Sequence, residues 1–384
     1  MKSYFIFIFF GIVTLIYSLV NWFVVSRGIK ALEGTTYTTI FKWTYWLLAS
    51  TFVIGQILER GTPTLVGRII TNIGSVWLAV FFYLLIFLLV VDIVRLFDYW
   101  FHFIPIRIIP AMTNGQLLFI IGICFSLLIS TAGYINARYP RVHTVDIQID
   151  KSIPGKKELK VVLVTDIHMG AMIGNNRVAQ MVESINSLHP DMVLFGGDLV
   201  DHNPLFVKAE DMGKNFLKLN APLGVYAVAG NHEFIGHAEI SIDYLQKFGI
   251  RYIREETINV NNMLLIAGRD DREKVNFNGR IPRKKMEEII DTSKPELPLI
   301  LMDHQPVEYS KAEKMGVDLM VSGHTHKGQL WPFGFITNAI FENDFGLMQK
   351  GKTWFYTSSG YGTWGPPIRT GNRPEIVEFR IKFK

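Results

Sequence analysis

Cysteine is almost missing from this chain: Cys124 is the only one in 384 residues. One thiol closes no internal disulfide and builds no thiolate metal site, so cysteine says nothing about compartment. Charge is scarce too. Charged residues make up 19% of the sequence against 49% hydrophobic ones, and the formal net charge is only +5. No basic stripe interleaves with exposed aromatics, so no nucleic-acid partner is expected. Internal repeats and low-complexity segments are also lacking.

What the chain has in abundance is apolar sequence, unevenly spread. From Tyr4 to about Ile135 it is dominated by Phe, Ile, Leu, Val and Trp, and after Arg141 it becomes an ordinary mixed sequence. A bilayer crossing needs about 20 apolar residues. Tyr4 to Val25 carries no charge and meets that length; it is too long for the core of a signal peptide, and no small-residue cleavage site follows. Ile69 to Val91 and Leu117 to Ile135 are further spans, and Trp43 to Leu58 is a shorter fourth interrupted by Gln56. Four such runs in succession argue against buried helices of a soluble protein. Trp22, Trp43, Tyr45, Tyr99, Trp100 and Tyr134 lie near span ends, where amphipathic rings favour the interface. Residues 1–140 are therefore expected to form a transmembrane domain of about four helices.

Orientation is nearly balanced. An inside N-terminus puts Lys2, Arg60, Arg68, Arg138 and Arg141 in the cytoplasm and leaves Arg27, Lys30, Lys42, Arg95 and Arg107 outside. Lys151, Lys156, Lys157 and Lys160 tip the count slightly toward a cytoplasmic C-terminal domain.

In the second half, short runs of Val, Ile and Leu each end in polar residues. Lys160–Val164 leads to Asp166 and His168, Met192–Phe195 to Gly197-Asp198, and Val225–Val228 to Gly230-Asn231-His232-Glu233. Leu299–Met302 leads to Asp303-His304, and Leu319–Ser322 to Gly323-His324-Thr325-His326. Such runs read as buried strands. Between them, Val178, Met181, Val182, Ile185 and Leu188 recur at helical spacing up to His189-Pro190. A second helix is expected over Ile240–Phe248 and a third from near Pro282. Strand alternating with helix predicts an α/β fold, and ligands then collect at the carboxyl ends of the strands.

Asp, Asn and His at strand ends suit two divalent transition metals, with Mn, Fe or Zn favoured by imidazole and carboxylate donors. Each piece alone is weak, and His102, His143, His189 and His202 read as ordinary histidines. His-x-His after Gly323 is stronger, because glycine frees the backbone to aim both rings at one point. The ordered combination is what is specific.

That combination resembles the calcineurin-like metallophosphoesterase superfamily over about Leu159 to Phe383, and residues 159–384 are expected to form that domain. Within the superfamily it is similar to membrane-associated bacterial phosphodiesterase-type members, through Gly323-His324-Thr325-His326 and the late Pro366–Arg369 and Pro374–Ile376 stretches. It is also similar to an animal group with transmembrane helices before the same domain. Lys327 departs from the pattern, standing where bacterial members carry Gly. The resemblance implies a sandwich of two mixed sheets flanked by helices. It implies that Asp166, His168 and His326 hold one metal, that Asn231, His304 and His324 hold the other, and that Asp198 bridges them. His232 is then the residue that donates to the phosphoryl oxygen or leaving group. Asp201 and Glu233 fit either a supporting or a merely structural role.

The function implied is hydrolysis of a phosphodiester, pyrophosphate or phosphomonoester at a bacterial cell membrane, on a phosphorylated small molecule or a lipid-linked substrate, with membrane lipid as the other partner. Two rivals are a catalytically silent sensor on a membrane anchor, against which the intact ligand set argues, and a transporter. The spans hold few ionisable residues, and Asp92 and Arg95 sit near an end, so no translocation path is evident.

Overall fold

The computed structural model describes residues 2–105, 108, 110–111, 114–277 and 281–384. Arg107, counted in the charge balance above, lies outside them. The chain divides into two compact units, one of residues 1–58 and 64–133, the other of 59–63 and 134–384.

The first unit is built from helices Lys2–Ala31, Tyr37–Glu59, Leu65–Phe101 and Gly115–Arg138. Three of them, over Gly11–Ala31, Leu65–Phe101 and Gly115–Arg138, are long and apolar enough to cross a membrane. The expected Trp43–Leu58 span falls in Tyr37–Glu59, whose Thr, Ser, Lys and Gln residues leave it outside that set. Most large apolar side chains of this unit face outward, among them Trp22, Ile40, Leu47 and Leu128. Polar contacts join its helices: Tyr45 donates to Asn21 at 2.9 Å, and Arg27 pairs with Asp92 at 2.7 Å.

Among the described residues, the second unit contains twelve strands in two sheets. One runs β1 (Arg141–Ile149), β12 (Glu375–Phe383), β2 (Glu158–Val164), β3 (Met192–Phe195), β4 (Val225–Ala227), β5 (Arg251–Tyr252). The other runs β10 (Gly346–Lys350), β11 (Thr353–Thr357), β9 (Leu319–Ser322), β8 (Leu299–Met302), β7 (Leu264–Gly268), β6 (Glu256–Val260). In the first sheet β2, β3, β4 and β5 are mutually parallel, and β12 crosses β2 antiparallel. In the second, β11, β9, β8 and β7 are parallel, with β10 and β6 antiparallel at the edges.

The period-two alternation of strand side chains builds the layers. Val161 and Leu163 of β2 join Ile300 and Met302 of β8 and Leu319 and Val321 of β9 in a core between the sheets. Val162 and Val164 face the other way, onto helices Asn175–Ser187 and Ala238–Gln246. Leu299, Leu301 and Met320 face the outer layer that holds Met286, Tyr309 and Ala312. The strands are apolar on both faces because both faces are covered.

The helix expected from Pro282 is not formed. Arg283 and Lys284 lie outside regular structure instead, Arg283 held by Asp303 at 3.0 Å and the Lys284 amide by the Glu255 carboxylate, and a turn of 3₁₀ helix follows at Met286–Glu288.

Candidate metal centre

The parallel strands β2, β3, β4, β8 and β9 point their carboxyl ends the same way within each sheet, and their following loops meet. Asp166 and His168 follow β2, Asp198 follows β3, Asn231 and His232 follow β4, His304 follows β8, and His324 and His326 follow β9. All eight residues singled out in the sequence are brought together.

They form two adjoining clusters. In one, His168 Nε2 lies 3.0 Å from His326 Nε2, and that nitrogen is 3.5 Å from Asp166 Oδ1. In the other, Asn231 Oδ1 lies 2.8 Å from His324 Nδ1 and 3.2 Å from His304 Nε2, which is 3.1 Å from Asp198 Oδ2. Asp198 Oδ2 also reaches to 3.9 Å from His168 Nε2, so this carboxylate stands between the clusters.

Tight loops bring these groups so close. Asp166, His168, Asp198, His324 and His326 all have positive φ, between 46° and 71°. A non-glycine residue held there costs of order 1–3 kcal/mol and persists only where the surroundings enforce it. Part of the enforcement is a mesh of backbone bonds to the carboxylates: the His324 amide donates to Asp166 and the His232 amide to Asp198. Gly323 is required for space rather than for backbone freedom, contrary to the sequence reading. Its φ is ordinary, but a Cβ there would lie 2.2 Å from Asp166 Oδ2. Gly197 needs both, with φ +98° and a Cβ position 2.5 Å from His304 Nδ1.

The electrostatics are those of buried opposite charges. Burial pushes the Asp198 carboxyl up, but His304 and His232 together outweigh it and hold it well below the carboxylate range. His304 shows the converse: burial lowers its pKa, while Asp198 and Asp166 raise it well above 6.5. Burial, with His304 close by, brings His324 down to about 3, so this ring is neutral.

The donor set fits divalent metals. His304 Nδ1 lies 2.8 Å from the Gly196 carbonyl, which only accepts, so Nδ1 carries the proton and Nε2 is the nitrogen directed at Asp198 and Asn231. A carbonyl on the far ring nitrogen is the usual support of a ligating histidine. Asp166, His168 and His326 form one group able to hold an ion, and Asp198, His304 and His324 another.

Several residues around the centre were unassigned or missed in the sequence. Asp201, left undecided, lies with Oδ1 2.8 Å from His232 Nδ1 and is held ionised. Burial raises its pKa, and His202, His168 and His232 together reverse that effect. His202, read as an ordinary histidine, shares the same oxygen at 2.8 Å and sits with its ring 4.3 Å from that of His232. Glu233, also undecided, accepts from the backbone amides of Asp198, Val200 and Gly230, fixing two of the loops. Asn203 donates to the carbonyls of Glu59 and Gly61, which ties the segment between the second and third helices to this unit. No local sequence signal marked His202 or Asn203. Lys327, the departure from the family pattern, places its ammonium 4.1 Å from the centre of the Phe345 ring.

The wider cleft has a volume of about 410 Å³. Asp198, Asn231, His232, His324 and His326 line it, together with the apolar Leu330, Phe333, Ile336, Phe341, Trp364 and Pro366 and with Thr325, Gly328, Gln329 and Thr337.

Comparison with known proteins places this geometry. Residues 159–328 match the model of the calcineurin-like phosphoesterase family. A metallophosphoesterase of Aquifex aeolicus is 34% identical over 264 residues, covering 67% of this chain and 98% of that protein. The chain belongs to the calcineurin-like phosphoesterase family. The phosphoesterase has relatives that match its N-terminal half too: one from Campylobacter jejuni is 30% identical, covering 98% of this chain and 99% of its own length. A bovine transmembrane protein with metallophosphoesterase domain is 29% identical, over 68% of this chain and 62% of that protein. As a member of this family, the phosphoesterase is a phosphoric ester hydrolase that depends on metal.

Proposed function

We propose that the chain is a membrane-anchored phosphoesterase with two divalent metals, Mn, Fe or Zn. Asp166, His168 and His326 would hold one, Asn231, His304 and His324 the other, and Asp198 both. The observation that carries this reading is the convergence of seven nitrogen and oxygen donors from five strand ends into two adjoining clusters around Asp198. When bound, such a pair supplies a water of lowered pKa and neutralises phosphoryl charge.

The protein's own groups divide the remaining work. His232 lines the cleft and is gripped at Nδ1 by ionised Asp201. Its ring is thereby oriented, and its role would be donation to a phosphoryl oxygen or a departing alkoxide. Asn231 is anchored between His304 and His324 and contributes a neutral oxygen. Glu233 and the glycine contacts keep the loops from spreading. The bond cleaved is a phosphodiester, pyrophosphate or phosphomonoester. The substrate is lipid-linked, since even one transmembrane helix anchors a protein effectively permanently and three suitable helices are more than localisation alone requires. The membrane is the bacterial cell membrane, with the catalytic unit on its cytoplasmic side.

The test is elemental analysis of purified full-length protein together with turnover of a chromogenic phosphodiester before and after chelation. Two metals per chain and chelator-sensitive turnover are expected. One metal in an active preparation overturns the two-metal reading. Two metals with no turnover identify a silent binding module instead.

A further inference from the structure

The cleft is chemically two-ended. Its polar end is the metal centre, and the rest of its wall is mostly apolar, with Leu330, Phe333, Ile336 and Phe341 prominent and Gln329 and Thr337 among them. A water-soluble phosphoester, polar on every side, gains nothing from such a wall. Burying an apolar group against it removes both surfaces from water, at roughly 0.8 kcal/mol per methylene.

The wall also continues outward. Helix Gly334–Ile340 has no buried residue at all. Ile336 lines the cleft, while Phe335 is 73% and Ile340 68% exposed. Trp364, also in the lining, is 56% exposed. Large apolar side chains clustered on an exposed helix beside a cleft mark a binding surface more often than a solvent-facing one. This helix is nonetheless firmly placed: Asp344 accepts from Thr337 Oγ1 at 2.7 Å, and its carbonyl accepts from Thr325 Oγ1, next to His324 and His326. The apolar strip is thus fixed relative to the ligand loop rather than hanging from it.

We infer that this strip receives the hydrocarbon chain of an amphiphilic phosphoester whose phosphoryl group lies at the metal centre, with Phe333 and Ile336 as the residues that set the preference for an apolar substituent. The inference rests on the phosphoesterase reading above and deepens it, because it assigns specificity to particular side chains. Its occupant follows from continuity: one cavity joins the apolar wall to the donors, so a ligand filling it must be polar at one end and apolar at the other. The membrane helices of the same chain keep the protein where such molecules are concentrated.

The experiment uses the full chain in detergent micelles and two probes that differ only in chain length, hexylphosphonate and methylphosphonate. Hexylphosphonate should bind at least tenfold more tightly by calorimetry. The corresponding p-nitrophenyl hexyl and methyl phosphodiesters should differ at least tenfold in kcat/KM in the same direction. Phe333→Ser with Ile336→Ser should shrink both ratios to within about threefold, while Phe333→Leu with Ile336→Val should retain them, which separates lost apolar contact from lost folding. Equal binding of the two phosphonates to wild-type protein overturns the inference, as does an unchanged ratio in the serine variant. A tenfold binding margin without hydrolysis of either diester supports the inference and counts instead against the phosphoesterase reading.

Discussion

Arg369→Met probes how the late Pro366–Arg369 stretch supports the metal centre. Arg369 is fully buried, and burial brings its pKa down to about 10, so it remains charged at neutral pH. Its guanidinium donates to the Gly362 carbonyl from Nε and Nη2, at 3.0 and 2.6 Å, and to the Ser359 carbonyl at 2.6 Å. Nη2 lies 3.1 Å from His326 Nδ1, and since a guanidinium only donates, that nitrogen is the acceptor. The loop so gripped is itself bonded to the ligand loop, Gly362 N donating to the Asp166 carbonyl at 2.7 Å. Methionine fills much of the same volume and donates nothing. Two buried carbonyls then lack a donor, at about 1–3 kcal/mol each, or roughly 2–6 kcal/mol together. Removing the buried charge returns part of its desolvation cost, which places the expected loss in the lower half, about 2–4 kcal/mol. The loop that carries Asp166 also loses this anchor, so metal content should fall together with stability. The assay is urea unfolding of the full chain in detergent, followed by near-ultraviolet circular dichroism, with metal content measured on the same preparations. Arg369→Lys should fall between, since one ammonium cannot reach all three acceptors. An Arg369→Met protein with the wild-type urea midpoint and wild-type metal content would refute the reasoning.

Asp198→Ala should lower metal content and abolish turnover of a chromogenic phosphodiester, because Asp198 is the carboxylate shared by both clusters. His232→Ala should keep both metals and lose mainly kcat, by roughly 10²–10⁴-fold, the usual scale for a general acid or base; unchanged kcat would remove it from the chemistry. Metal loading should strengthen as pH rises. The folded metal-free protein holds the His304 pKa well above 6.5 through Asp198 and Asp166, so a proton must leave before the ring can ligate. That raised pKa also means the His304–Asp198 pairing stabilises the metal-free fold below pH 6.5 and is lost as pH climbs through the folded value. Calorimetric titration with metal in two buffers of different ionisation enthalpy should therefore report proton release, and none would exclude His304 as the protonated group. A reporter fused after Lys384 should signal the cytoplasm, and an extracellular signal would reverse the assigned topology.

The sequence by itself determined the strands, the order of the ligands and the apolar N-terminal half. Five apolar runs, each ending in Asp, Asn or His, needed no tertiary information, because a strand covered on both faces is apolar throughout and its loop must supply the polar groups. Met192–Phe195, Leu299–Met302 and Leu319–Ser322 coincide with β3, β8 and β9 for that reason. Composition was a poorer guide where long-range contacts decide. The helix expected from Pro282 gave way to an irregular segment because Asp303 and Glu255, distant in sequence, hold Arg283 and the Lys284 amide. Gly323 could be singled out, but its reason could not: the clash at 2.2 Å is with Asp166, 157 positions earlier in the chain. His202 looks like any surface histidine until Asp201 and His232 close around it. For the apolar stretch after His326, Leu330–Ile336, local sequence carries hydrophobicity but not exposure, so it does not separate core from binding surface. Only the tertiary structure left Phe335 and Ile340 exposed and placed Phe333 and Ile336 in the lining of the cleft.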